Sequence, residues 1–593
     1  MFNYIYNSGH YPDAWCVGFI VPIHKKGPTR IANNFRGITI LSAFGKLFST
    51  ILNTRILNWC EAFGVITESQ AGFRPLYSTS DQLFVLQAVI EHILKTKNKL
   101  YVAFIDFSKA FDLVERSILL TQLMYNGLSG KILQIIKSMY TITKTCLKYA
   151  GTYSSFFNCN VGVRQGECLS PILFILFIND MEEQMSRNFE GIDMGTLKLM
   201  LLLYADDTVI FGDSPDNLQA GLNAMTDFCR DRKITINHEK TKIMIFEKRQ
   251  HVPDFIWTLD GNNLEVVSEF KYLGLNFGKT GKYNPAFKSL ATQATKASFM
   301  LRKHMLRFPN LPVNFALQFF DSMVVPVLSY GCQLWGFKEV KSLEVIHKKF
   351  CKMLLGVKQS TPDCFVYGEL GRFPLYIKWQ VAIIKFWLNI LRSKRQKYTF
   401  IMYQKMVDAT NHNNNVINWA SQVRDLLNNL GYGQVWLDQA VFNEKWLIRS
   451  IEQRLKDQYM QSWLNFIDNS SKATLYKSFK NTFSIESYLI TLPKHLRMGL
   501  SRLRCSSHDL HIETGRWARP PVPQADRTCT HCHLNAIEDE YHFLLICPKY
   551  SNIRATYIEQ KFWQRPSKYK FQLLMSRKFE SVAKYIFQVN RTR

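Results

Sequence analysis

The stretch MLLLYADDTVIF, residues 200–211, places two adjacent acidic residues between two apolar runs. This pattern predicts two strands, Met200–Tyr204 and Thr208–Phe211, joined by a hairpin whose turn carries Asp206 and Asp207. Carboxylates at the ends of buried strands are costly unless a cation balances their charge. Mg²⁺ is the natural partner, because it binds carboxylate oxygens together with substrate phosphates. A plain hairpin turn, in which Asp is common, is the alternative.

A third acidic residue, Asp106, ends another apolar run, Val102–Asp106, which is expected to form a strand followed by a helix. Asp106 and Asp206 lie 100 residues apart in the chain, so the carboxylates can meet only in the folded protein. Two Mg²⁺ ions clamp the attacking and leaving oxygens of an in-line phosphoryl displacement, the chemistry of polymerases and nucleases. The acidic residues therefore predict a two-metal site for phosphoryl transfer.

Hydrophobic periodicity predicts alternating helices and strands up to about residue 278 and mostly helix over residues 285–490. Before residue 278, the expected strands are Val17–Ile23, Val102–Asp106, Met200–Tyr204, Thr208–Phe211, Lys242–Phe246 and Phe270–Phe277. The expected helices there are Ala43–Asn58, residues 80–95, Leu169–Met181 and residues 215–231. Such a pattern indicates a mixed domain followed by a helical one.

Segments in a fixed order through most of residues 12–278 resemble the reverse transcriptase family. The matching segments are Phe35-Arg36-Gly37-Ile38 with Leu41 and Lys46, Gln70-Ala71-Gly72-Phe73-Arg74, Phe104-Ile105-Asp106-Phe107-Ser108-Lys109-Ala110-Phe111-Asp112, Gly162-Val163-Arg164-Gln165-Gly166 with Leu169-Ser170-Pro171, Tyr204-Ala205-Asp206-Asp207, Asn237 with Lys240-Thr241-Lys242, and Tyr272-Leu273-Gly274. The forms of the first three segments resemble the branch encoded by non-LTR (LINE-type) retrotransposons. The resemblance implies an RNA-directed DNA polymerase.

The resemblance also implies an α+β right-hand polymerase. Its fingers and palm would occupy residues 1–278, and a largely helical, basic thumb or connection region would occupy residues 279–500. Residues 501–560 would hold a linker, Pro- and Arg-rich over Arg516–Arg527, and a zinc module. Residues 561–593 would form a basic C-terminal tail.

Within this family pattern, Asp106 and Asp206 are expected to bind two Mg²⁺ ions, with Asp207 close by as a supporting acid. Lys240 is a candidate general acid that protonates the departing pyrophosphate. Phe111 matches the steric gate, a ring that occupies the space of a ribose 2′-hydroxyl and so admits deoxynucleotides. Plain core packing is the alternative for Phe111.

Six further positions match the substrate-binding residues of the family. Gln165 and Gly166 match the loop that packs against the template and the incoming base, where glycine permits a close backbone approach. Tyr204 falls in the same group. Arg36, with Lys25 or Lys26, is expected to hold the triphosphate, because a guanidinium forms paired hydrogen bonds with phosphate oxygens. The alternative for these cations is solvated surface charge.

The charge of the chain is concentrated in its second half. The formal net charge is +27, of which residues 279–593 carry +26 and residues 1–278 carry +1. A polyanion is the expected partner, although basic proteins also bind acidic membranes. Two expected helices could follow the phosphates of an RNA–DNA hybrid; their cations are Lys288, Lys296, Arg302, Lys303 and Arg307, then Lys348, Lys349 and Lys352. Solvated helix faces are the alternative.

A cysteine–histidine pattern, Cys529-x2-Cys532-x9-His542-x4-Cys547, supplies four ligands for a structural Zn²⁺. His531 and His533 are rival ligands. The spacing and the segment Glu538–Phe543 resemble the C-terminal CCHC module of non-LTR retrotransposon proteins. A coincidental spacing of residues that bind no metal is the alternative.

The remaining features concern partners and location. The resemblance implies an RNA template, a DNA primer or target and deoxynucleoside triphosphates as partners. No signal peptide or membrane segment is visible, and the scattered cysteines are typical of a reduced compartment, so we expect an intracellular protein that acts in the nucleus without a membrane partner. No nuclease segment is recognisable, so we expect a 5′-truncated element or a separately supplied endonuclease. The rival functions are an RNA-dependent RNA polymerase and a catalytically inactive remnant that only binds nucleic acid.

Overall fold

The computed structural model describes residues 1–25, 27–97, 99–248, 255–413 and 415–592. The chain divides into two compact units. The first comprises Met1–Pro285 with Arg392–Ser421, and the second comprises Ala286–Leu391 with Gln422–Arg593. The four domains expected from the sequence stay a prediction.

In the described residues, the strands are β1 (Val17–His24), β2 (Phe35–Ile40), β3 (Lys99–Ile105), β4 (Lys144–Tyr149), β5 (Thr152–Tyr153), β6 (Phe157–Asn158), β7 (Ile192–Asp193), β8 (Lys198–Leu199), β9 (Leu201–Tyr204), β10 (Asp207–Gly212), β11 (Lys242–Glu247), β12 (Thr258–Leu259), β13 (Asn262–Asn263), β14 (Glu265–Val266), β15 (Glu269–Tyr272) and β16 (Leu275–Gly278). They all lie in the first unit.

The helices of the described residues, in chain order, are α1 (Phe2–Ser8), α2 (Ala43–Phe63), α3 (Thr79–Thr96), α4 (Arg116–Tyr125), α5 (Gly130–Thr141), α6 (Ser170–Phe177), α7 (Met181–Met185), α8 (Pro215–Arg232), α9 (Asn284–Met305), α10 (Val313–Met323), α11 (Val325–Leu328), α12 (Cys332–Trp335), α13 (Lys341–Leu355), α14 (Asp363–Leu370), α15 (Leu375–Arg392), α16 (Tyr398–His412), α17 (Trp419–Asn429), α18 (Gly433–Asp438), α19 (Glu444–Asn469), α20 (Tyr476–Phe479), α21 (Tyr488–Thr491), α22 (Lys494–Arg504), α23 (His511–Thr514), α24 (Ser551–Tyr557), α25 (Gln560–Trp563), α26 (Lys568–Arg577) and α27 (Phe579–Thr592). None of these helices combines the length and apolar character that crossing a lipid bilayer requires.

The first unit contains two five-stranded sheets. One has the order β2-β1-β4-β5, with β6 paired to β4, and the other has the order β14-β11-β3-β10-β9. In the second sheet, β3 pairs antiparallel with both β10 and β11. Its central strands are apolar on both faces and carry buried residues almost throughout, so helices must cover them. The combination of these sheets with a helical second unit confirms the α+β class.

Helices α3 and α8 pack on the second sheet, α6 lies in the core of the first unit, and local sequence explains where each of them begins. A capping box between Ser78 and Asp81 opens α3, and the Ser214 hydroxyl accepts from the Asn217 N–H at the start of α8. Pro171 occupies the first turn of α6, where its missing N–H costs nothing. Helix α6 is buried along almost its whole length and lies in the core of the first unit.

Two expected elements were wrong in detail. The helix expected after Asp106 is α4, which begins at Arg116; in the segment between them, the carbonyls of Phe111 and Val114 accept from the N–H groups of Val163 and Gly162. The helix expected at Leu169–Met181 ends at Phe177 and restarts at Met181.

The strand expected at Phe270–Phe277 is a hairpin of β15 and β16. Leu273 and Gly274 both have positive φ angles, 43° and 88°, which reverse the chain between Tyr272 and Leu275. Paired positive φ angles are typical of the tight hairpin turns that match strand twist.

The second unit is helical in its described residues, as the periodicity predicts. A buried ionic group joins α14 to α22, where Arg504 forms two hydrogen bonds with Glu369, at 2.8 and 3.0 Å. The Tyr488 hydroxyl donates to the same carboxylate at 2.6 Å. Because these groups are fully buried, removing one partner would leave an uncompensated charge in the core.

Candidate active site and metal cluster

The three predicted carboxylates lie together at one end of the second sheet. Strand β3 ends at Ile105, which pairs with Thr208 on β10, so Asp106 lies beside Asp207 on neighbouring strands. Asp206 occupies the turn between β9 and β10, where Asp207 pairs with Tyr204. Sheet register therefore joins residues that are 100 positions apart in the sequence.

Burial, together with neighbouring negative charge, raises the pKa of Asp206 and of Asp207. Desolvation, together with the negative charge of Asp106, raises the pKa of Asp206 above its ordinary value. Desolvation and then the charges of Asp206 and Asp106 raise the pKa of Asp207 to about 6. Clustered carboxylates of this kind are stabilised by a divalent cation, which offsets their mutual repulsion.

Lys240 contacts the carboxylate group directly. Its Nζ lies 2.9 Å from Asp106 Oδ2, with the lysine side chain 60% exposed. The neighbours of Lys240 in the sequence hold the backbone of Asp106: the Asn237 N–H donates to its carbonyl at 2.8 Å, and its own N–H donates to the Thr241 hydroxyl at 3.2 Å. The segment Asn237–Thr241 therefore anchors both the backbone and the side chain of Asp106.

The turn that carries Asp206 is held by a buried glutamine. Ala205 adopts a left-handed conformation, with φ of 56°. Its N–H donates to Gln70 Oε1 at 2.9 Å, and the Gly72 N–H donates to the same oxygen at 2.8 Å. The Ala71 N–H and the Leu203 carbonyl continue this pairing along β9. Gln70 thus holds Ala205, the strained residue that directly precedes Asp206 and Asp207.

Gly72 is required by the same close approach. A Cβ atom at this position would lie 2.3 Å from the backbone nitrogen of Ala205 and 3.0 Å from the carbonyl carbon of Tyr204. Backbone atoms of a hairpin turn cannot move aside as a flexible side chain can. The segment Gln70–Arg74, matched by sequence alone, is therefore a support for the turn.

The predicted substrate-binding residues lie around Asp112, which follows the strand of Asp106. Gln165 Nε2 donates to Asp112 Oδ1 at 2.8 Å. Desolvation raises the pKa of Asp112, and the positive charges of Lys109, Lys25 and Arg36 oppose this effect. Arg36 is exposed, and its positive charge also lowers the pKa of Asp206. Lys26 lies outside the described residues.

Phe111 is half-buried and stacks on Phe174 of α6, with ring centroids 4.8 Å apart. Gly166 has a φ of 105°, and a Cβ there would lie 2.9 Å from the Thr39 carbonyl of β2. The Gln165 carbonyl accepts from the Thr39 N–H at 2.8 Å. These contacts pin the loop of Gln165 and Gly166 between β2 and the segment that carries Phe111. Tyr204 is half-buried.

The cations predicted to follow phosphates differ in availability. On and just after α9, Lys288, Lys296, Arg302, Lys303 and Arg307 are all exposed. On α13, Lys349 is exposed, but Lys352 is 10% exposed and pairs with Asp363 at 2.9 Å. Lys348 pairs with Glu339 and Asp363, each at 3.1 Å. The expectation for Lys352 was therefore wrong, because α14 supplies a carboxylate that neutralises it.

The cysteine–histidine residues also lie together in the second unit. Ligand atoms of Cys529, Cys532, His542 and Cys547 all lie within 4.8 Å of one another. Two of the separations are 4.0 Å between the thiols of Cys529 and Cys547, and 3.5 Å between Cys532 Sγ and His542 Nε2. A tetrahedral Zn²⁺ with bonds of 2.0 to 2.3 Å would set ligands roughly 3.3–3.8 Å apart. The four residues fit that ion.

The rival histidines take no part in this cluster in the described residues. His531 lies 3.9 Å from Glu538 and 3.3 Å from Lys549, and the group that could hold a metal excludes His533. The Asp539 carboxylate accepts from the His542 N–H at 2.7 Å, which orients the start of the short helical turn His542–Ile546.

Several positioning residues were assigned no role by sequence reasoning. Gln70, Gly72, Asn237 and Thr241 fell within matched segments, but nothing in their spacing indicated which acid each would support. Asp112 is the last residue of the matched segment that contains Asp106, and the sequence assigned it no partner. The one available signal was the glycine two residues after Gln70, which indicates a close backbone approach.

The similarities to known proteins agree with this arrangement. Residues 23–277 match the family model described as reverse transcriptase (RNA-dependent DNA polymerase). The probable RNA-directed DNA polymerase from transposon X-element of Drosophila melanogaster is 26% identical over 394 residues, covering 62% of this chain and 41% of that protein. The RNA-directed DNA polymerase from mobile element jockey of Drosophila funebris is 27% identical over 366 residues, covering 60% of this chain and 39% of that protein.

Among solved structures, apo telomerase from Candida tropicalis is similar with 13% identity and a TM-score of 0.35, covering 76% of this chain and 72% of that one. The chain spans about two fifths of the length of the two curated relatives. The family match covers the second sheet, the first sheet except most of β1, the three carboxylates and every described substrate-binding position. Residues 23–277 therefore form a region that matches the reverse transcriptase family, and the relatives of the chain are RNA-directed DNA polymerases that non-LTR retrotransposons encode.

Proposed function

We propose that this chain copies an RNA template into DNA by two-metal nucleotidyl transfer. The observation that carries the proposal is the meeting of Asp106, Asp206 and Asp207 at one edge of the sheet, with Lys240 2.9 Å from Asp106. Asp106 and Asp206 would hold two Mg²⁺ ions, and Asp207 would supply further negative charge. Bound Mg²⁺ would activate the primer 3′-hydroxyl and neutralise charge on the transferring phosphoryl group.

The protein's own groups would position and protonate the substrate. Arg36 and Lys25 would bind the triphosphate, where their charge offsets that of the phosphates. Lys240 carries an exposed ammonium beside Asp106, from which it could donate a proton to the departing pyrophosphate. Gln165 and Gly166 would place the template base against the incoming nucleotide.

Phe111 is the residue proposed to exclude ribonucleotides. Replacing Phe111 by valine should lower the preference for deoxynucleotides over ribonucleotides on the order of 100-fold, because the ring that would meet the 2′-hydroxyl is gone. The stacking on Phe174 predicts an accompanying stability loss of about 1–3 kcal/mol. The ratio of kcat/KM for the two nucleotide types measures the effect.

Phe107→Val is the matched control, since that ring is buried four residues before Phe111 and should cost stability alone. A Phe111→Val enzyme that still rejects ribonucleotides as the wild type does would contradict the gate.

Gln70 is proposed as a positioning residue for Asp206. Gln70→Ala should lower kcat about 10- to 100-fold with little change in KM, because two buried N–H groups lose their acceptor and the turn relaxes. Gln87→Ala is the control: it removes another buried amide of the same unit, bonded to Glu91 and the Gly281 carbonyl. Equal losses of kcat in the two variants would show that Gln70 acts only through stability.

The basic second unit is proposed to contact the copied hybrid and its template. The exposed cations of α9 suit the phosphates of an RNA–DNA duplex, giving salt-dependent and sequence-independent affinity. Zn²⁺ would join Cys529, Cys532, His542 and Cys547 as a structural ion, since four protein ligands leave no open position for catalysis. An RNA template, a DNA primer or target and deoxynucleoside triphosphates are the proposed partners. Action in the nucleus and an endonuclease that supplies the DNA end stay predictions.

A catalytically inactive remnant is not favoured, because all three carboxylates and their supporting residues are intact. The proposal is tested by primer extension with purified protein, a DNA primer and Mg²⁺, on RNA and on DNA templates, with deoxynucleotides or ribonucleotides. Deoxynucleotide extension on RNA supports it. Extension with ribonucleotides alone would identify an RNA-dependent RNA polymerase, and hybrid binding without any extension would identify the remnant.

A further inference from the structure

A surface groove in the second unit is lined by none of the three active-site carboxylates and by none of the four zinc ligands. It encloses about 440 Å³ and is lined by hydroxyl, cationic and aromatic side chains. The residues that matter for its chemistry are Lys358, Lys472, Ser506, Thr514 and Trp517. We call it the Trp517 groove. Hydroxyls that can both donate and accept beside an open aromatic face can contact the edges and the plane of a nucleobase.

Trp517 forms the aromatic wall of the groove. Its side chain is 65% exposed, an unusual state for the largest apolar side chain. Lys472 Nζ lies 5.0 Å from the centroid of the indole ring and pairs with Glu513 at 3.2 Å. The Lys472 ammonium lies over the indole ring, and Trp517 stays 65% exposed. An exposed, oriented indole is the feature on which proteins stack unpaired bases.

The charge of the groove favours a polyanion. Its lining contains Lys358 and Lys472 against the single carboxylate Glu513. The Lys358 side chain is 53% exposed, and its partner Asp509 is 79% exposed, so this ion pair lies in water and can exchange for a phosphate. Arg516 precedes Trp517 in the sequence and pairs with Glu513 at 3.0 Å, and Arg519 follows Trp517 by two positions.

The cysteine–histidine segment fixes the floor of the groove. Glu540 lies 2.9 Å from His508 Nε2, and Glu538 accepts from the His511 N–H at 2.7 Å. The Ile512 N–H donates to the Glu538 carbonyl at 3.1 Å. Residues 508–512, which precede Trp517, are therefore docked on the segment that contains His542. This connection makes the groove a preformed surface, which lowers the entropy cost of binding.

We infer that the Trp517 groove binds single-stranded nucleic acid, stacking one unpaired base on Trp517 and placing its phosphate near Lys472 and Lys358. The inference rests on the proposed function for the identity of the polyanion, but it assigns a separate subsite that does not contact the reacting atoms. Duplexes would bind poorly to the Trp517 groove, because their bases are stacked on one another and cannot reach the indole.

The test is equilibrium binding of the full chain to a fluorescent oligo(U) RNA, an oligo(dT) DNA of the same length and a duplex. Trp517→Ala should weaken binding of the single strands about tenfold, Trp517→Phe should restore most of it, and duplex binding should change little. Lys472→Ala should lower the salt dependence of binding by about one counterion. The RNA and DNA arms show whether the groove distinguishes the sugar.

Trp446→Ala is the matched control, since this tryptophan of α19 is 59% exposed and lies outside the groove. It should bind single strands as the wild type does. Equal effects of the two tryptophan variants, or unchanged binding by a folded Trp517→Ala protein that keeps its metal content, would overturn the inference. Asp206→Asn separates the two proposals, because it should lose primer extension but bind oligonucleotides as the wild type does. Oligonucleotide binding therefore tests the groove even if primer extension is never observed.

Discussion

Asp206→Asn is expected to lower the single-turnover rate of nucleotide incorporation by on the order of 10³-fold or more, equivalent to ~4 kcal/mol of lost transition-state stabilisation. Asparagine keeps the size and the turn-forming ability of aspartate but supplies a neutral oxygen as a metal ligand. The hairpin turn should stay in place, because its support by Gln70 involves the backbone of Ala205. Hybrid affinity should therefore persist while chemistry is lost.

The stability of this variant separates chemistry from misfolding. The raised pKa of Asp206 means that the folded state favours the protonated carboxyl, so the contribution of this group to stability declines as the pH rises through its folded-state value. A neutral asparagine removes that cost, and the melting temperature at neutral pH should be equal or higher without metal. A loss of activity accompanied by a lower melting temperature would contradict the assigned role.

Asp213→Asn is the matched control for Asp206→Asn. Asp213 directly follows β10, at the end opposite the turn, and its carboxylate pairs with Lys97 at 2.8 Å on the surface. An exposed pair of this kind contributes about 0–1 kcal/mol. Activity within about twofold of the wild type is expected. A comparable loss of activity in both variants would mean that the sheet, rather than the site, was damaged.

Removal of the metal from the cysteine–histidine cluster should have the second largest effect. The purified protein should contain about one Zn²⁺ per chain, and Cys547→Ala should contain almost none. Structural zinc in small modules contributes roughly 10–16 kcal/mol of apparent binding free energy, so its loss should unfold the segment locally. Hydrogen exchange over residues 506–558 should accelerate, while exchange in the first unit stays unchanged.

Cys364→Ala provides the comparison, because this partly buried cysteine of the second unit lies outside the cluster. It should keep its zinc and its exchange protection. Protein that is purified without zinc, and whose exchange is indifferent to a strong chelator, would rule out a structural ion at these four residues.

Local pattern predicted the parts of the fold in which sequence neighbours also lie together in space. The two apolar runs that flank Asp206 and Asp207 predicted the hairpin. The spacing of Cys529, Cys532, His542 and Cys547 predicted the cluster. Both depend on contacts within short segments, where strand or turn geometry leaves few arrangements. The order of the matched segments then indicated the active site.

Pairings between distant elements were beyond the reach of pattern. The contact of Gln70 with Ala205 spans 135 residues and depends on a close approach that only the folded chain reveals. Lys352 and the exposed Lys349 both lie on α13 and carry the same charge. Of these two lysines, Lys352 is the one that pairs with Asp363 of α14. The segment Phe270–Phe277 shows the same limit within a short stretch. Its residues favour a single strand, but the positive φ angles of Leu273 and Gly274 turn the chain into a hairpin.

The most direct test of the central claim, nucleotidyl transfer by metal ions that Asp106 and Asp206 hold with Asp207 close by, is a Mg²⁺ titration. The measurement is the single-turnover rate of adding one deoxynucleotide to a DNA primer on an RNA template. The account predicts no addition in excess chelator, a rise that depends on more than one Mg²⁺ ion per site, and a plateau that Asp206→Asn does not approach. Addition that persists without divalent cations, or an Asp206→Asn protein that reaches the wild-type plateau, would contradict it.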